Sequence, residues 1–156
     1  MDSEELKITR RALPHFTYPD STYFITFCIH CSDMSKDEQV IVLNHIKEGH
    51  TKYYDLISAV VMEDHVHLII HPKEDYELSR IMKGIKGASS KKLNDFRREN
   101  GSQDRFSWQR ESYDRIIRSE YEMKETLNYM YNYPVNKGYT DDPENYPGWF
   151  VCYDLI

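Results

Sequence analysis

Two histidines separated by one residue, His65 and His67, are the side chains of this sequence best placed to do chemistry. They begin an apolar run that ends at Ile70 and reads as a β-strand. Successive side chains of a strand point to opposite faces, so both imidazoles would project from one face, about 7 Å apart by strand rise alone. Because imidazole nitrogen is a common metal ligand, the pair predicts a site for a divalent ion. Half-buried or surface histidines without a ligand are the structural alternative.

Two other sets of potential ligands are weaker candidates. His71 shares the parity of the pair, but it lies beside Pro72 at the strand end, so we predict a surface histidine. Cys28 and Cys31 form a CxxC, yet no second pair with zinc-ligand spacing follows, which disfavours structural zinc. The chain has three cysteines, an odd number that argues against a disulfide framework.

Length and composition predict a single domain over residues 1–156, with residues 1–9 and the last few residues peripheral. No apolar run approaches the roughly 20 residues that a membrane span requires, so no membrane partner is expected. The acidic N-terminus lacks the basic and apolar regions of a signal peptide, which makes a cytoplasmic location the default.

The net charge of -6 is unevenly distributed along the chain. Residues 80–118 carry 11 basic and 5 acidic residues, a net charge of +6, whereas the segments on either side are acidic. The distribution of charge matters more than its total for binding a polyanion. The middle segment is therefore a candidate phosphate-binding surface, with an ordinary solvated helix face as the alternative.

The surrounding pattern predicts the elements that position these residues. Aromatic and β-branched residues predict a strand over 23–29, and Ser35 is the expected cap of a helix that ends near Tyr53, or earlier at Gly49. Strands over 56–62 and 65–71 form a predicted hairpin, and a basic amphipathic helix covers 78–98. A short edge strand at 113–117, a helix over 120–132 ended by Pro134, and an apolar segment at 149–153 follow. This order predicts an α+β fold, a ferredoxin/RRM-like antiparallel sheet with flanking helices and the histidine pair on a central strand.

The helix over 120–132 could supply a nucleophile. Its predicted core stripe is Met123, Leu127 and Met130, which leaves Tyr129 on another face with Tyr133 one turn later. A phenol at the edge of a metal site can attack a phosphodiester, because the metal polarises the phosphate. Packing of the tyrosines in a chain with 13 of them is the alternative.

The sequence around the two histidines resembles the HUH motif of single-tyrosine transposases, and most closely that of REP-associated tyrosine transposases. Further segments resemble the family in the same order along residues 10–150. They are Arg10-Arg11-Ala12-Leu13-Pro14-His15 before the strand 23–27, the basic helix at 81–87, Trp108-Gln109 with Tyr113-Asp114-Arg115-Ile116-Ile117-Arg118, and Tyr129 through Pro134-Val135 and Gly138.

The resemblance implies a specific activity. His65 and His67 would bind Mg²⁺ or Mn²⁺ at the scissile phosphate of single-stranded hairpin DNA, and Tyr129 would attack it to give a 5′-phosphotyrosine intermediate. Rejoining would reverse this transesterification without ATP. The candidate contacts to the DNA backbone are Lys83, Lys86, Arg97, Arg115 and Arg118. Insertion-sequence relatives act as dimers, so a homodimer is one expectation, and the REP-associated branch can act as a monomer.

One departure from the family pattern falls at the site. Family members usually place Asn or Gln four residues after the nucleophile as the third metal ligand, and this chain has Tyr133 there, with Asn132 one position early. A neutral phenol is a poorer ligand for a hard cation than an amide carbonyl. Asn132 reaching the metal, substitution by Glu125 or water, and weakened metal binding are the open explanations. Two alternative functions also remain open: a catalytically weakened relative that binds hairpin nucleic acid without cutting it, and a small metal-binding protein without a nucleic-acid role.

Overall fold

Strands and helices alternate along the chain in the computed structural model, which describes residues 20–156. The order is β1 (Thr22–Cys28), α1 (Lys36–Glu48), β2 (Tyr54–Val61), β3 (His65–Pro72), α2 (Leu78–Glu99), β4 (Tyr113–Ile117), α3 (Glu120–Asn136) and β5 (Trp149–Val151). The predicted α+β class is confirmed. The family-like segment at 10–15 and the peripheral residues 1–9 lie outside the described residues.

The histidine pair lies on the central strand of a five-stranded antiparallel sheet with the order β4-β1-β3-β2-β5. β2 and β3 form the predicted hairpin, whose turn is closed by a 2.8 Å hydrogen bond from the Met62 amide to the His65 carbonyl. On the other side of β3, β1 places Thr26 opposite His67 and Cys28 opposite His65. Because strands are hydrogen-bonded on both sides of β3, the backbone beneath the two histidines is held in place.

The two faces of the sheet are covered by different helices. One face packs against α1 and α2 and buries Val66, Leu68 and Ile70 of the central strand. The opposite face packs against α3, where Ile69 meets the predicted stripe of Met123, Leu127 and Met130. Since side chains alternate along a strand, His65 and His67 share the face of Ile69 and lie under α3.

The start and end of α1 follow local hydrogen bonds. Ser35 accepts a hydrogen bond from the Glu38 amide, and the Glu38 carboxylate accepts one from the Ser35 amide, which completes a capping box. The helix ends at Glu48 with Gly49 as its C-cap, the earlier of the two ends that the sequence allowed.

The predicted end of α3 is wrong, because Pro134 lies inside the helix, which continues to Asn136. A proline in the last turn removes only one backbone donor, and the turn is closed by hydrogen bonds from Lys137 to the Tyr133 carbonyl and from Tyr139 to the Pro134 carbonyl. Burial of the proline ring in the core stabilises this extra turn further. As a result Tyr133 remains helical and lies one full turn after Tyr129.

The prediction of a surface position for His71 also needs correction. Its side chain is only 14% exposed, and both ring nitrogens have partners. Nδ1 lies 2.9 Å from the Thr22 hydroxyl, and Nε2 contacts the Asp20 carboxylate. The strand end is covered because β1 continues alongside it, and His71 is therefore tied to its neighbours and lies apart from the histidine pair.

Candidate metal and tyrosine site

The rings of His65 and His67 lie side by side on the α3 face of the sheet. Their centroids are 4.7 Å apart with planes inclined at 76°. His67 is buried, whereas His65 is partly exposed at the start of β3. The two imidazoles therefore converge within the distance that one cation could bridge.

Each histidine is oriented by a hydrogen bond at the nitrogen that faces away from the shared site. The His67 Nδ1 lies 2.8 Å from the Thr26 hydroxyl of β1, and the His65 Nδ1 lies 2.6 Å from the Asp64 carboxylate. Histidines that bind metals commonly have such a partner on the second ring nitrogen, because it fixes the tautomer and the ring orientation. Both Nε2 atoms are left for a ligand.

The Nε2 atom of His67 is buried and has no hydrogen-bond partner within residues 20–156. Buried polar atoms in folded proteins are nearly always paired, since an unpaired one loses its hydration without compensation. Burial lowers the pKa of His67 to about 3, with a smaller contribution from His65. The ring is therefore neutral near pH 7, with a lone pair available to a cation.

Two tyrosines of α3 cover the histidine pair. The Tyr129 ring lies 5.6 Å from the His67 ring, and the Tyr133 ring lies 5.2 Å from each histidine ring. The tyrosine rings themselves are 5.4 Å apart. Neither hydroxyl has a hydrogen-bond partner in the described part of the chain, and Tyr129 is 51% exposed. The structure thus brings together four side chains that the sequence singled out.

A phenol lies at the position where the resemblance to the family leads us to expect a third ligand. Asn132 is buried, and its amide nitrogen donates a 2.9 Å hydrogen bond to the Asn128 carbonyl within α3. Tyr133 instead contacts both histidines, and burial raises the pKa of its phenol, with a further contribution from Tyr129. Within residues 20–156 no third His, Cys, Asp or Glu completes a ligand cluster.

Several neighbours of the site were missed by sequence reasoning. Phe24 of β1 stacks on His67 at 5.3 Å, and the Arg115 guanidinium lies 5.1 Å above the Phe24 ring. Lys137, one turn after Tyr133, places its ammonium 5.4 Å from the Tyr133 ring. Asp64 directly precedes His65 in the sequence, so its role as a partner of that histidine could have been predicted. Thr26 lies beside His67 because of the register between β1 and β3, which the sequence does not show.

Another contact fixes the chain after α3 against the turn that carries the histidines. The Tyr139 hydroxyl donates a 2.6 Å hydrogen bond to Glu63, and this bond raises the pKa of Tyr139 to about 12. Glu63 lies in the β2–β3 turn, directly before Asp64. The bond therefore joins the C-terminal end of α3 to the edge of the site.

The candidate DNA contacts occupy two regions on either side of the edge strand β4. Arg115 points toward α3 and donates to the Thr126 hydroxyl, and Arg118 is exposed at the end of β4. On the other side, a groove of about 850 Å³ between α2 and residues 107–114 is lined by Lys83, Lys86 and Arg110. The Lys86 ammonium donates to the Gln109 and Arg110 carbonyls, and burial lowers the pKa of this lysine.

Arg97 does not fit the predicted DNA surface. It is 6% exposed, and its Nε donates a 2.6 Å hydrogen bond to the buried Glu38 carboxylate of α1. Burial opposes ionisation of Glu38, but the hydrogen bonds and charge of Arg97 outweigh it and lower the pKa of the carboxyl. Helical periodicity turns this cation inward, where it joins α2 to α1, so it is removed from the candidate contacts.

The donors at the centre of the site fit a divalent metal ion in type and orientation. The two imidazole rings lie side by side, each is held through its Nδ1, and the buried Nε2 of His67 has no hydrogen-bond partner among the described residues. This arrangement can bind a cation next to an exposed nucleophile.

Comparison with known proteins agrees with this arrangement. The profile of the family described as "Transposase IS200 like" matches residues 32–132, almost two thirds of the chain, including both histidines and Tyr129. No curated protein matches the chain. Within the described residues, no helix is both long enough and apolar enough to cross a membrane.

The solved structures that are similar to this chain include two whose descriptions bear on the family. One is a REP-associated tyrosine transposase bound to a REP hairpin, with 21% identity, a TM-score of 0.63, and coverage of 87% of this chain and 79% of that one. The other, from Deinococcus radiodurans R1, is provisionally described as a transposase, with 17% identity, a TM-score of 0.48, and coverage of 81% and 97%. The first likeness shows a shared fold, and the family match carries the assignment. The chain belongs to the IS200-like transposase family.

Proposed function

We propose that this protein cleaves and rejoins single-stranded hairpin DNA by transesterification, with Tyr129 as the nucleophile. The observation that carries the proposal is the convergence of two histidines, each oriented by a hydrogen bond, with an exposed phenol. The Tyr129 ring lies 5.6 Å from the His67 ring, and its hydroxyl makes no hydrogen bond within the described residues.

The reaction needs no external energy source, because one ester replaces another. The Tyr129 oxygen attacks the scissile phosphorus, the bond from phosphorus to the 3′ oxygen breaks, and a 5′-phosphotyrosine with a free 3′-hydroxyl results. Attack of a 3′-hydroxyl on the phosphotyrosine reverses the step and releases Tyr129. Half-exposure of this tyrosine supports access of a DNA strand to its oxygen.

His65 and His67 are the proposed ligands of Mg²⁺ or Mn²⁺, with the Tyr133 phenol or water at the third position. When bound, the ion polarises the phosphate and stabilises the charge that develops on it. Thr26 and Asp64 hold the imidazoles in the orientation that this role requires. Asn132 is the less suitable candidate, because Tyr133, four residues after Tyr129, is the side chain that contacts both histidine rings.

The cations around β4 are the proposed contacts to the DNA backbone. Arg115 and Arg118 lie on the side of α3 and would hold the strand that enters the site, and Lys83 and Lys86 line the groove on the other side. A hairpin is the proposed partner because the similar REP-associated transposase was solved bound to one. Backbone contacts of this kind predict binding that weakens as salt increases.

A second candidate function is supported by Tyr133. Since a phenol occupies the place where the family usually has an amide, the protein could bind hairpins without cutting them. This alternative predicts hairpin binding that depends on salt, is unaffected by a chelator, and gives no covalent product.

Comparison of wild type with Tyr129→Phe on a labelled hairpin in the presence of Mn²⁺ tests the proposal. We expect wild type to form cleaved product and Tyr129→Phe to lose most of it, because phenylalanine keeps the ring and removes the attacking oxygen. Tyr121→Phe is a matched control, since Tyr121 is exposed at the start of the same helix. Equal cleavage by wild type and Tyr129→Phe would contradict the assignment.

A further inference from the structure

Tyr133 is the aromatic side chain closest to the middle of the histidine pair. Its ring centroid lies 5.2 Å from both imidazole rings, edge to face in each case. Tyr129 has one such contact, to His67 at 5.6 Å. A phosphate that reaches the two histidines would therefore lie beside the Tyr133 ring as well as the Tyr129 ring.

The hydroxyl of Tyr133 has no structural role in the described part of the chain. Other tyrosines that are largely covered use their hydroxyls: Tyr54 donates to the Ile46 carbonyl, and Tyr146 donates to the Val61 carbonyl at 2.8 Å. Tyr133 is partly covered, yet its oxygen has no hydrogen-bond partner within residues 20–156. Packing accounts for the position of the Tyr133 ring but not for the hydroxyl that lacks a described hydrogen-bond partner.

The helix presents Tyr133 in the same way as the nucleophile. Residues four apart lie on one face of a helix, so Tyr129, Tyr133 and Lys137 form a stripe along α3 over the histidines. The Lys137 ammonium, 5.4 Å from the Tyr133 ring, adds a positive charge beside this phenol. The stripe exists only because α3 continues through Pro134.

We propose that Tyr133 is a second nucleophile of this site, an inference that rests on the proposed DNA cleavage. Its phenolic oxygen forms a bond to the scissile phosphorus and gives up its proton to solvent. The bond from phosphorus to the 3′ oxygen breaks, and that oxygen leaves as a hydroxyl with a proton from water. A single chain then offers two tyrosine oxygens to a DNA 5′ phosphate, which would allow it to hold a second strand end while the first is still attached.

Mapping of the covalent adduct tests this inference. Wild type, Tyr129→Phe, Tyr133→Phe and the double variant are incubated with Mn²⁺ and a pool of 3′-labelled hairpin oligonucleotides with randomised single-stranded flanks, then quenched in denaturant. Trypsin cleaves after Lys124 and Lys137, so both tyrosines lie in one peptide, 125–137. Fragment-ion sequencing of this peptide shows which tyrosine carries the nucleotide.

We expect Tyr129→Phe to retain an adduct on Tyr133, with total adduct about tenfold lower than in wild type. Tyr133→Phe should keep only the adduct on Tyr129, and the double variant should form none. Tyr121→Phe, a substitution outside the site on the same helix, should match wild type. Wild-type adduct confined to Tyr129, together with none in Tyr129→Phe, would overturn this inference and leave the proposed function standing. Absence of any adduct in wild type would overturn both.

Discussion

The two faces of the sheet differ in how they treat polar groups. On the face of α1 and α2, the buried Glu38 and Arg97 side chains are paired with each other at 2.6 Å. The buried Nδ1 of His45 on α1 has no hydrogen bond among the described residues, but it lies 3.6 Å from the Glu48 carboxylate. On the face of α3, the buried Nε2 of His67 and the hydroxyls of Tyr129 and Tyr133 have no described hydrogen-bond partners. Side chains of the same central strand, β3, form part of both faces, so the contrast arises from the helices and side chains that cover each face.

The contrast indicates that the buried polar groups of the α1–α2 face stabilise the fold, whereas those of the α3 face are available to a ligand. Paired buried groups lower the free energy of the fold or leave it unchanged, whereas an unpaired buried nitrogen costs roughly 1–3 kcal/mol unless a ligand compensates. For the Nε2 of His67, the proposed metal ion is that ligand. The α1–α2 face is therefore expected to respond to mutation through stability, and the α3 face through metal and DNA binding.

Removal of Arg97 should give the largest effect on stability. Arg97→Ala leaves Glu38 buried without its partner, and breaking one side of a buried ion pair typically costs about 3–5 kcal/mol. Urea unfolding measures the change. Arg98→Ala is the control, because Arg98 is 75% exposed and its pair with Asp95 is worth less than about 1 kcal/mol. Similar losses in both variants would refute the structural role of Arg97.

Acid should destabilise the metal-free protein through the α3 face. Folding lowers the pKa of His67 from 6.5 to about 3, so between these values the unfolded chain binds a proton that the native chain does not. Stability from this group is present above about pH 6.5 and is lost as pH falls toward 3, by up to about 1.4 kcal/mol per pH unit. Unfolding in urea with a chelator, from pH 7 to 4, should show a shallower slope for His67→Gln than for wild type. The same slope in His67→Gln as in wild type would contradict this effect.

Thr26 and Asp64, which bond to the Nδ1 atoms of the two histidines, should affect metal affinity without contacting the metal. Thr26→Val and Asp64→Asn each weaken the orientation of one histidine, and such changes typically cost about 10–100-fold in affinity. Isothermal titration with Mn²⁺ measures the loss. Thr22→Val is a close control, since Thr22 bonds to His71 on the same strand in the same way. A loss of affinity in Thr22→Val as large as in Thr26→Val would mean that the effect is not specific to the site.

Replacement of Tyr133 by asparagine should raise the metal affinity of the site instead of lowering it. Tyr133→Asn supplies an amide oxygen where a phenol now lies, and we expect Mn²⁺ affinity to rise about tenfold, which is about 1.4 kcal/mol. The same titration measures this gain, and Tyr121→Asn is the control on the exposed part of α3. Unchanged or weaker binding in Tyr133→Asn would show that the phenol does not limit the metal site.

Much of the fold could be predicted because the periodicity of apolar residues and the capping residues determine its strands and helices. Alternation placed His65 and His67 on one face, and the Ser35 capping box set the start of α1. Pro134 was misjudged because a general rule about proline ignores a last turn that loses only one hydrogen bond and buries the ring. Arg97 continues the buried stripe of α2, but its partner Glu38 lies 59 residues away in sequence, so no local pattern could reveal the ion pair.

The site could be predicted in part for the same reason. The two histidines and two tyrosines lie in short segments whose spacing already puts them on common faces. Thr26, Phe24 and Lys137 became visible only through the register of β1 with β3 and the extra turn of α3. These neighbours of the histidines and tyrosines could therefore not be predicted, because they depend on strand register and on the length of α3.

The most direct test of the metal site is a Mn²⁺ titration followed by electron paramagnetic resonance of the free ion. We predict one bound Mn²⁺ per chain in wild type. In His65→Ala and in His67→Ala the affinity should fall more than about 100-fold, a larger loss than for the residues that orient the two imidazoles. His71→Ala should bind as wild type does. Absence of binding in wild type, or equal binding in wild type and His67→Ala, would contradict the assignment of the α3 face as a metal site.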